Sequence, residues 1–92
     1  MKIYIITYDL RLTWLRNYNP LFNLLRSFPH WMHEMDNTWF IVSDLTAQEI
    51  YNACAPYIFT DCRIVIARFR GEAFGLLSPT GWEWINRHRN LY

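Results

Sequence analysis

The stretch from Lys2 to Tyr8, Lys-Ile-Tyr-Ile-Ile-Thr-Tyr, constrains the fold more than any other part of this chain. Side chains so rich in β-branched and aromatic groups predict a strand. Alternation sends Ile3, Ile5 and Thr7 to one face and Tyr4, Ile6 and Tyr8 to the other. Both faces are apolar or aromatic, so the strand has to run inside a sheet with cover on each side. A carboxylate, Asp9, follows where the strand ends.

The rest of the chain supplies the cover. Asn19 is expected to cap a helix with Pro20 at its first position, and Leu21, Leu24, Leu25 and Phe28 form one apolar stripe along it. Pro29 stops this helix. Residues 30 to 43 read as a hairpin turning at Asp36-Asn37, since both residues tolerate positive φ. That turn sets Met35 against Thr38, Glu34 against Trp39, His33 against Phe40 and Trp31 against Val42. Thr46-Ala-Gln-Glu49 is a capping box opening a second helix, with Ile50, Ala53, Cys54 and Tyr57 on its inner stripe and Pro56 near its end. Residues 63 to 70 form a further strand, with Ile64, Ile66, Arg68 and Arg70 on one face. The order β-α-β-β-α-β predicts an α+β, ferredoxin-like domain with two helices on one face of an antiparallel sheet. Beyond this core, which spans 1–71, an extension over 72–92 should hold a short edge strand from Gly71 to Leu77. Ser78 and Pro79 then start a last helix, its apolar side formed by Trp82, Trp84, Ile85 and His88.

At 92 residues the chain is one domain. Apolar and aromatic residues make up 52%, enough for one core. The aromatic share of 18% exceeds what such a core readily absorbs, so part of it is expected at an interface. Two helices on one sheet face leave Tyr, Trp and Ile exposed on the other. A homodimer packing sheet against sheet removes that conflict, with Tyr4, Tyr8 and Trp39 as expected interface residues. The two cysteines, Cys54 and Cys62, have neither metal-type spacing nor the number for a disulfide framework. No stretch reaches transmembrane length and no signal run opens the chain, so a cytoplasmic protein without a membrane partner is expected.

The formal charge of +1 gives no general pull toward nucleic acid, yet all cations but Lys2 are arginines, whose planar fork suits phosphates. Asp9 is the candidate metal ligand and catalytic residue, because a carboxylate there can hold a hard divalent cation. It equally suits an anchor for the following loop or a partner for Arg11. Arg11, Arg16, Arg68 and Arg70 are the candidate nucleic-acid contacts, against a plainer role as charges guarding a strand edge. His33, if it faces Phe40 beside a groove, has the chemistry of a general acid. No Gly-rich phosphate loop and no Ser-His-Asp or Cys-His set is present.

In their order, these motifs resemble a known group. Met1 to Leu10, with its Tyr-Asp-Leu ending, looks like the opening strand of the small CRISPR-associated adaptation nucleases. It is closer still to their SinR-like relatives and to virulence-associated protein D. Asn17-Tyr18, Trp31-Met32-His33 and Thr38-Trp39 match further SinR-like motifs in the same order, through about Gly71. The resemblance implies a ferredoxin-like homodimer. In two of the branches it also implies Mg2+- or Mn2+-dependent nuclease activity on RNA or DNA, in prokaryotic or phage defence or toxin-antitoxin systems. Asp9 then lies near the dimer axis. The alternative it leaves open is a non-catalytic dimer that binds nucleic acid or a protein partner. The acidic or polar cluster that often follows the first strand in this group is replaced here by Arg11 and Thr13.

Overall fold

The computed structural model describes residues 1–91. Its strands are β1 (Lys2–Asp9), β2 (His30–Met35), β3 (Thr38–Ser43) and β4 (Arg63–Phe69), and its helices are α1 (Asn19–Arg26), α2 (Ala47–Cys54) and α3 (Pro79–Arg87). The strands form one antiparallel sheet in the order β2-β3-β1-β4, with β1 central as its two-sided hydrophobicity demands. This is an α+β fold of four antiparallel strands and three helices.

The local signals act as expected in α2, where the Thr46 hydroxyl accepts from Glu49 N at 3.1 Å and the Glu49 carboxylate accepts from Thr46 N at 3.0 Å. These bonds occupy two of the amides that a helix start leaves free. At α1 the cap differs. Tyr18 holds the cap position and makes no side-chain capping bond, while Asn17 Oδ1 accepts from Asn19 N at 3.0 Å. The Asx turn comes two residues before the expected cap, leaving Asn19 inside the helix.

Tyr4, Ile6, Tyr8, Trp39 and Ile41 point to the sheet face covered by α1 and α2, where Leu21, Leu25, Ile50 and Cys54 meet them. Trp39 is fully buried, and its indole N–H donates to the Tyr8 hydroxyl at 2.9 Å. That hydroxyl donates in turn to Asp36 O at 3.2 Å. Tyr4, Tyr8 and Trp39, expected at an interface, are therefore buried core residues of the single chain. The hairpin also departs from its expected pairing. Met35 opposes Thr38, but Met32 opposes Phe40, Trp31 opposes Ile41 and His30 opposes Val42, because a bulge lies between Met32 and Met35. The extra residue shifts the register by one. His33 thus leaves Phe40 and stacks on Trp39, with ring centroids 3.9 Å apart.

The opposite face is covered by α3. Ile85 packs with Ile3, Met32, Phe40, Val42 and Phe69, and Trp82 and Trp84 close the edges. The last helix therefore lies on its own sheet. Glu34 fixes its start: the carboxylate accepts from Ser78 N and, at 3.0 Å, from the Ser78 hydroxyl, whose oxygen accepts from Gly81 N at 3.2 Å. At its other end His88 is buried and bonds Trp84 O through Nδ1 at 2.8 Å. The strand expected from Gly71 to Leu77 does not form. Gly71 at φ 100° turns the chain out of β4, and the following residues cross the sheet face as a strap instead of pairing along an edge.

Tyr8→Phe keeps the ring but deprives a buried indole N–H of its acceptor. A loss of about 1–3 kcal/mol in urea unfolding is expected, and an unchanged midpoint would show that this bond contributes nothing net.

Candidate functional site at the end of the first strand

Asp9 ends β1 opposite Arg63 of β4. Its side chain is 67% exposed and lies 3.5 Å from Arg11 Nη1, itself 59% exposed. An ion pair this open to solvent contributes about 0–1 kcal/mol and yields readily to a competing ligand. Asp9 borders two shallow cavities. One of about 330 Å³ includes Leu10, Thr13, Asp36 and Asn37 in its lining, and one of about 300 Å³ includes Thr7, Arg63 and Val65. Among the described residues no three His, Cys, Asp or Glu side chains gather as a metal site would require. A single chain thus does not fit Mg2+ or Mn2+ unaided, because Asp9 and Asp36 on the lining of the first cavity are fewer carboxylates than the several oxygen ligands such ions take.

The four arginines expected at phosphates are dispersed. Arg16 is paired near the surface: its guanidinium donates to both Asp61 carboxylate oxygens, at 2.6 and 3.2 Å, and lies 4.0 Å from the centre of the Phe59 ring. The fork suits a carboxylate as well as a phosphate, and here the carboxylate already fills it. Arg68 opposes Tyr4 while Asp9 opposes Arg63, so Arg68 stands about 17 Å along the strand at roughly 3.4 Å per residue. Arg70 lies further on and is exposed. Only Arg11 stays beside Asp9. Arg63, absent from the expected contacts, joins it through the strand register, although its guanidinium also donates to Cys62 O at 2.9 Å.

The loop from Leu10 to Tyr18 is held firmly. Leu12 takes a left-handed φ of 54°, and its carbonyl accepts from Leu15 N and Arg16 N, each at 3.0 Å. Leucine enters this region at a steric cost, which the Arg16–Asp61 pair and the Tyr18 hydroxyl donating to Arg11 O at 2.7 Å help to offset. The outcome is an exposed tip carrying Trp14 and Leu15.

Beneath the loop sits a cluster that sequence reasoning missed. The Tyr18 hydroxyl lies 3.2 Å from Cys62 Sγ and accepts from Arg16 Nη1 at 3.4 Å. Burial pushes the Cys62 thiol up, but hydrogen bonding with Tyr18 and with the Arg11 and Phe59 backbone outweighs it, and the net shift is downward. Cys54, buried with no such donors, is pushed up to about 11. Asp61 is held below the usual carboxylate range, chiefly by its hydrogen bonds from Arg16. Arg16 and Tyr18 are visible as neighbours in sequence, but Asp61 and Cys62 lie more than 40 residues away, and no periodicity or spacing links them.

Compared with protein-family models, curated proteins and solved structures, the chain matches none of them.

Two outcomes follow from this cluster. In the native protein near pH 7.5 iodoacetamide should alkylate Cys62 well before Cys54, and Tyr18→Phe should slow it, as read by peptide mass; equal labelling of both thiols contradicts the assigned environments. A depressed carboxyl pKa adds stability above the unfolded value that is lost as pH falls through the folded one. The stability difference between wild type and Asp61→Asn should therefore shrink as pH falls from about 6 to about 2, and a constant difference would exclude an ionic contribution from Asp61.

Proposed function

We propose that the protein acts as a ferredoxin-like homodimer on RNA or DNA phosphodiesters, with Asp9 of each chain at a shared seam. The β-α-β-β-α-β order of the first six elements supports that fold reading. The observation that carries the functional one is the position of Asp9. It shares a sheet face with Ile3, Ile5 and Thr7 by alternation, and the Thr7–Asp9 end of that face is exposed. A second copy on this face would bring a second Asp9 carboxylate to the seam. Mg2+ or Mn2+ held there supplies charge neutralisation at a phosphate. This chain's own groups would do the rest: Arg11 leaves its weak pair with Asp9 to take a phosphate oxygen, and Arg63 offers a second cation. On this reading such a dimer would work in the cytoplasm of a prokaryote or in a phage, in defence or toxin-antitoxin biology, as the resemblance in sequence implies. Among the described residues no helix is long and apolar enough to cross a membrane.

A second reading is favoured by the Asp9–Arg11 pair and by Arg16's commitment to Asp61: a non-catalytic dimer that binds nucleic acid or a protein partner. The two readings part in one experiment. Purified protein should cleave labelled RNA or DNA with Mg2+ or Mn2+, and Asp9→Ala should abolish cleavage while leaving the association state intact. Equal cleavage by Asp9→Ala removes the mechanism. No cleavage with either metal, together with salt-sensitive nucleic-acid binding, establishes the scaffold. In a dimer structure, Asp9 carboxylates more than about 10 Å apart exclude a shared ion, given metal–oxygen bonds of roughly 2.0–2.6 Å.

A further inference from the structure

β2 meets α3 at both ends. The Glu34 carboxylate takes the start of the helix through Ser78, and His30 meets its end at His88. From Ser78 to His88 a helix rises about 15 Å at roughly 1.5 Å per residue. From Glu34 back to His30 a strand covers about 13 Å at roughly 3.3 Å per residue. The two elements therefore match in length and run in opposite directions. At the far end the contact is between two imidazoles, with ring centroids 4.9 Å apart and planes tilted by 48°. His33 on Trp39 shows what a true stack looks like here, at 3.9 Å and 11°.

Hydrogen bonding sorts the ring nitrogens. His88 Nδ1 lies 2.8 Å from Trp84 O. A carbonyl only accepts, so the proton sits on Nδ1 and Nε2 keeps its lone pair. His88 is buried, yet among the described residues no buried side-chain nitrogen lacks a hydrogen-bond partner. Nε2, which makes no such bond, therefore opens to solvent at the helix end. His30 is exposed, and its ring makes no hydrogen bond among the described residues. Two imidazoles with lone pairs to give thus face each other across the junction of strand and helix.

We propose that His30 and His88 bind a divalent transition metal of the Zn2+, Ni2+ or Cu2+ class and so clasp the end of α3 to the start of β2. Imidazole is the ligand these ions share. With metal–nitrogen bonds of about 2.0–2.1 Å, two imidazoles on one ion have ring centres about 4.5 Å apart at a right angle and about 5.2 Å at the tetrahedral angle. The observed 4.9 Å lies between these limits, so the backbone already holds both rings at a coordinating separation. A ligating histidine commonly gives its second N–H to a backbone carbonyl, which fixes tautomer and ring orientation. Trp84 O does this for His88. His88 also caps the C-terminal end of α3, where the helix dipole favours a cation. The neighbouring guanidinium groups are turned to other partners, Arg87 to Glu83 at 2.5 Å and Arg89 to Asn86 Oδ1 at 2.7 Å. No third His, Cys, Asp or Glu joins the pair among the described residues. Water completes the shell, and the affinity is accordingly micromolar. A donor set of nitrogens does not suit Mg2+, which takes oxygen ligands, so this site is separate in chemistry and in residues from Asp9.

Calorimetric titration of the full chain with Ni2+ alone tests this. Wild type should take up one ion per chain with a micromolar Kd that millimolar Mg2+ leaves unchanged. Its thermal midpoint should rise with Ni2+, because the ion binds only the folded chain. His30→Ala alters an exposed position, so without metal it should melt with wild type, while its Ni2+ affinity should fall at least about tenfold. Cu2+ should bind tighter than Ni2+, and its electron paramagnetic resonance spectrum should show two imidazole nitrogens in wild type and one in His30→Ala. A wild type that binds no Ni2+, a His30→Ala that binds it as tightly, or a single imidazole nitrogen on Cu2+ in wild type overturns the proposal.

Discussion

The buried hydrogen bond from Trp39 to Tyr8 is the contact on which the architecture turns. Trp39 is the largest fully buried side chain, and it lies across from Ile6 in the pairing of the two central strands. A buried indole N–H without an acceptor is costly, so the Tyr8 hydroxyl fixes where β1 and β3 sit relative to each other. His33 stacks over the same indole and bonds Asp36 O through Nε2 at 3.1 Å. Since a carbonyl only accepts, His33 carries its proton on Nε2 there. Asp36 O thus takes donors from Tyr8 and His33, tying the hairpin turn to the centre of the sheet. Phe22 of α1 stacks on Trp39 from further out, with centroids 6.3 Å apart. One aromatic group thereby connects the hairpin, the central strand and the first helix.

Much of this was legible in sequence where the signals are local. The two-sided run from Lys2 to Tyr8, the Thr46–Glu49 box, the Asp36-Asn37 turn and the Ser78-Pro79 start each depend on residues a few positions apart. Reading failed where the deciding partner is remote or where one residue is inserted. The bulge between Met32 and Met35 left the turn in place but moved His33 to the opposite face from the one its spacing implied. The segment from Gly71 to Leu77 is apolar enough for a strand, yet Gly71 turns the chain out of β4 and no strand forms there. Tyr4, Tyr8 and Trp39 were expected on an open sheet face, but that is the face α1 and α2 cover, while α3 buries Phe40 and Phe69 on the other.

The same division runs through the candidate site. Asp9 was visible as a carboxylate at a strand end, and its position on the face of Thr7 follows from alternation alone. The fate of the arginines was not visible, since guanidinium chemistry is the same whether the partner is a phosphate or Asp61. Arginine count therefore overstated what is free to meet a nucleic acid: Arg16 is paired with Asp61, Arg68 and Arg70 stand at the other end of the sheet, and Arg11 and Arg63 remain near Asp9.

The Glu34–Ser78 contact makes two distant positions behave as one. A Cβ on Gly81 would fall on the Glu34 carboxylate. That carboxylate ends a flexible side chain, so it would swing away rather than obstruct the helix, and its bonds to Ser78 would go with it. Position 81 of α3 thus favours glycine because of an acid on β2, not because of its own backbone. Across any set of related chains, a larger residue at 81 should appear together with a shorter or neutral one at 34, a correlation that neither position's local environment would reveal.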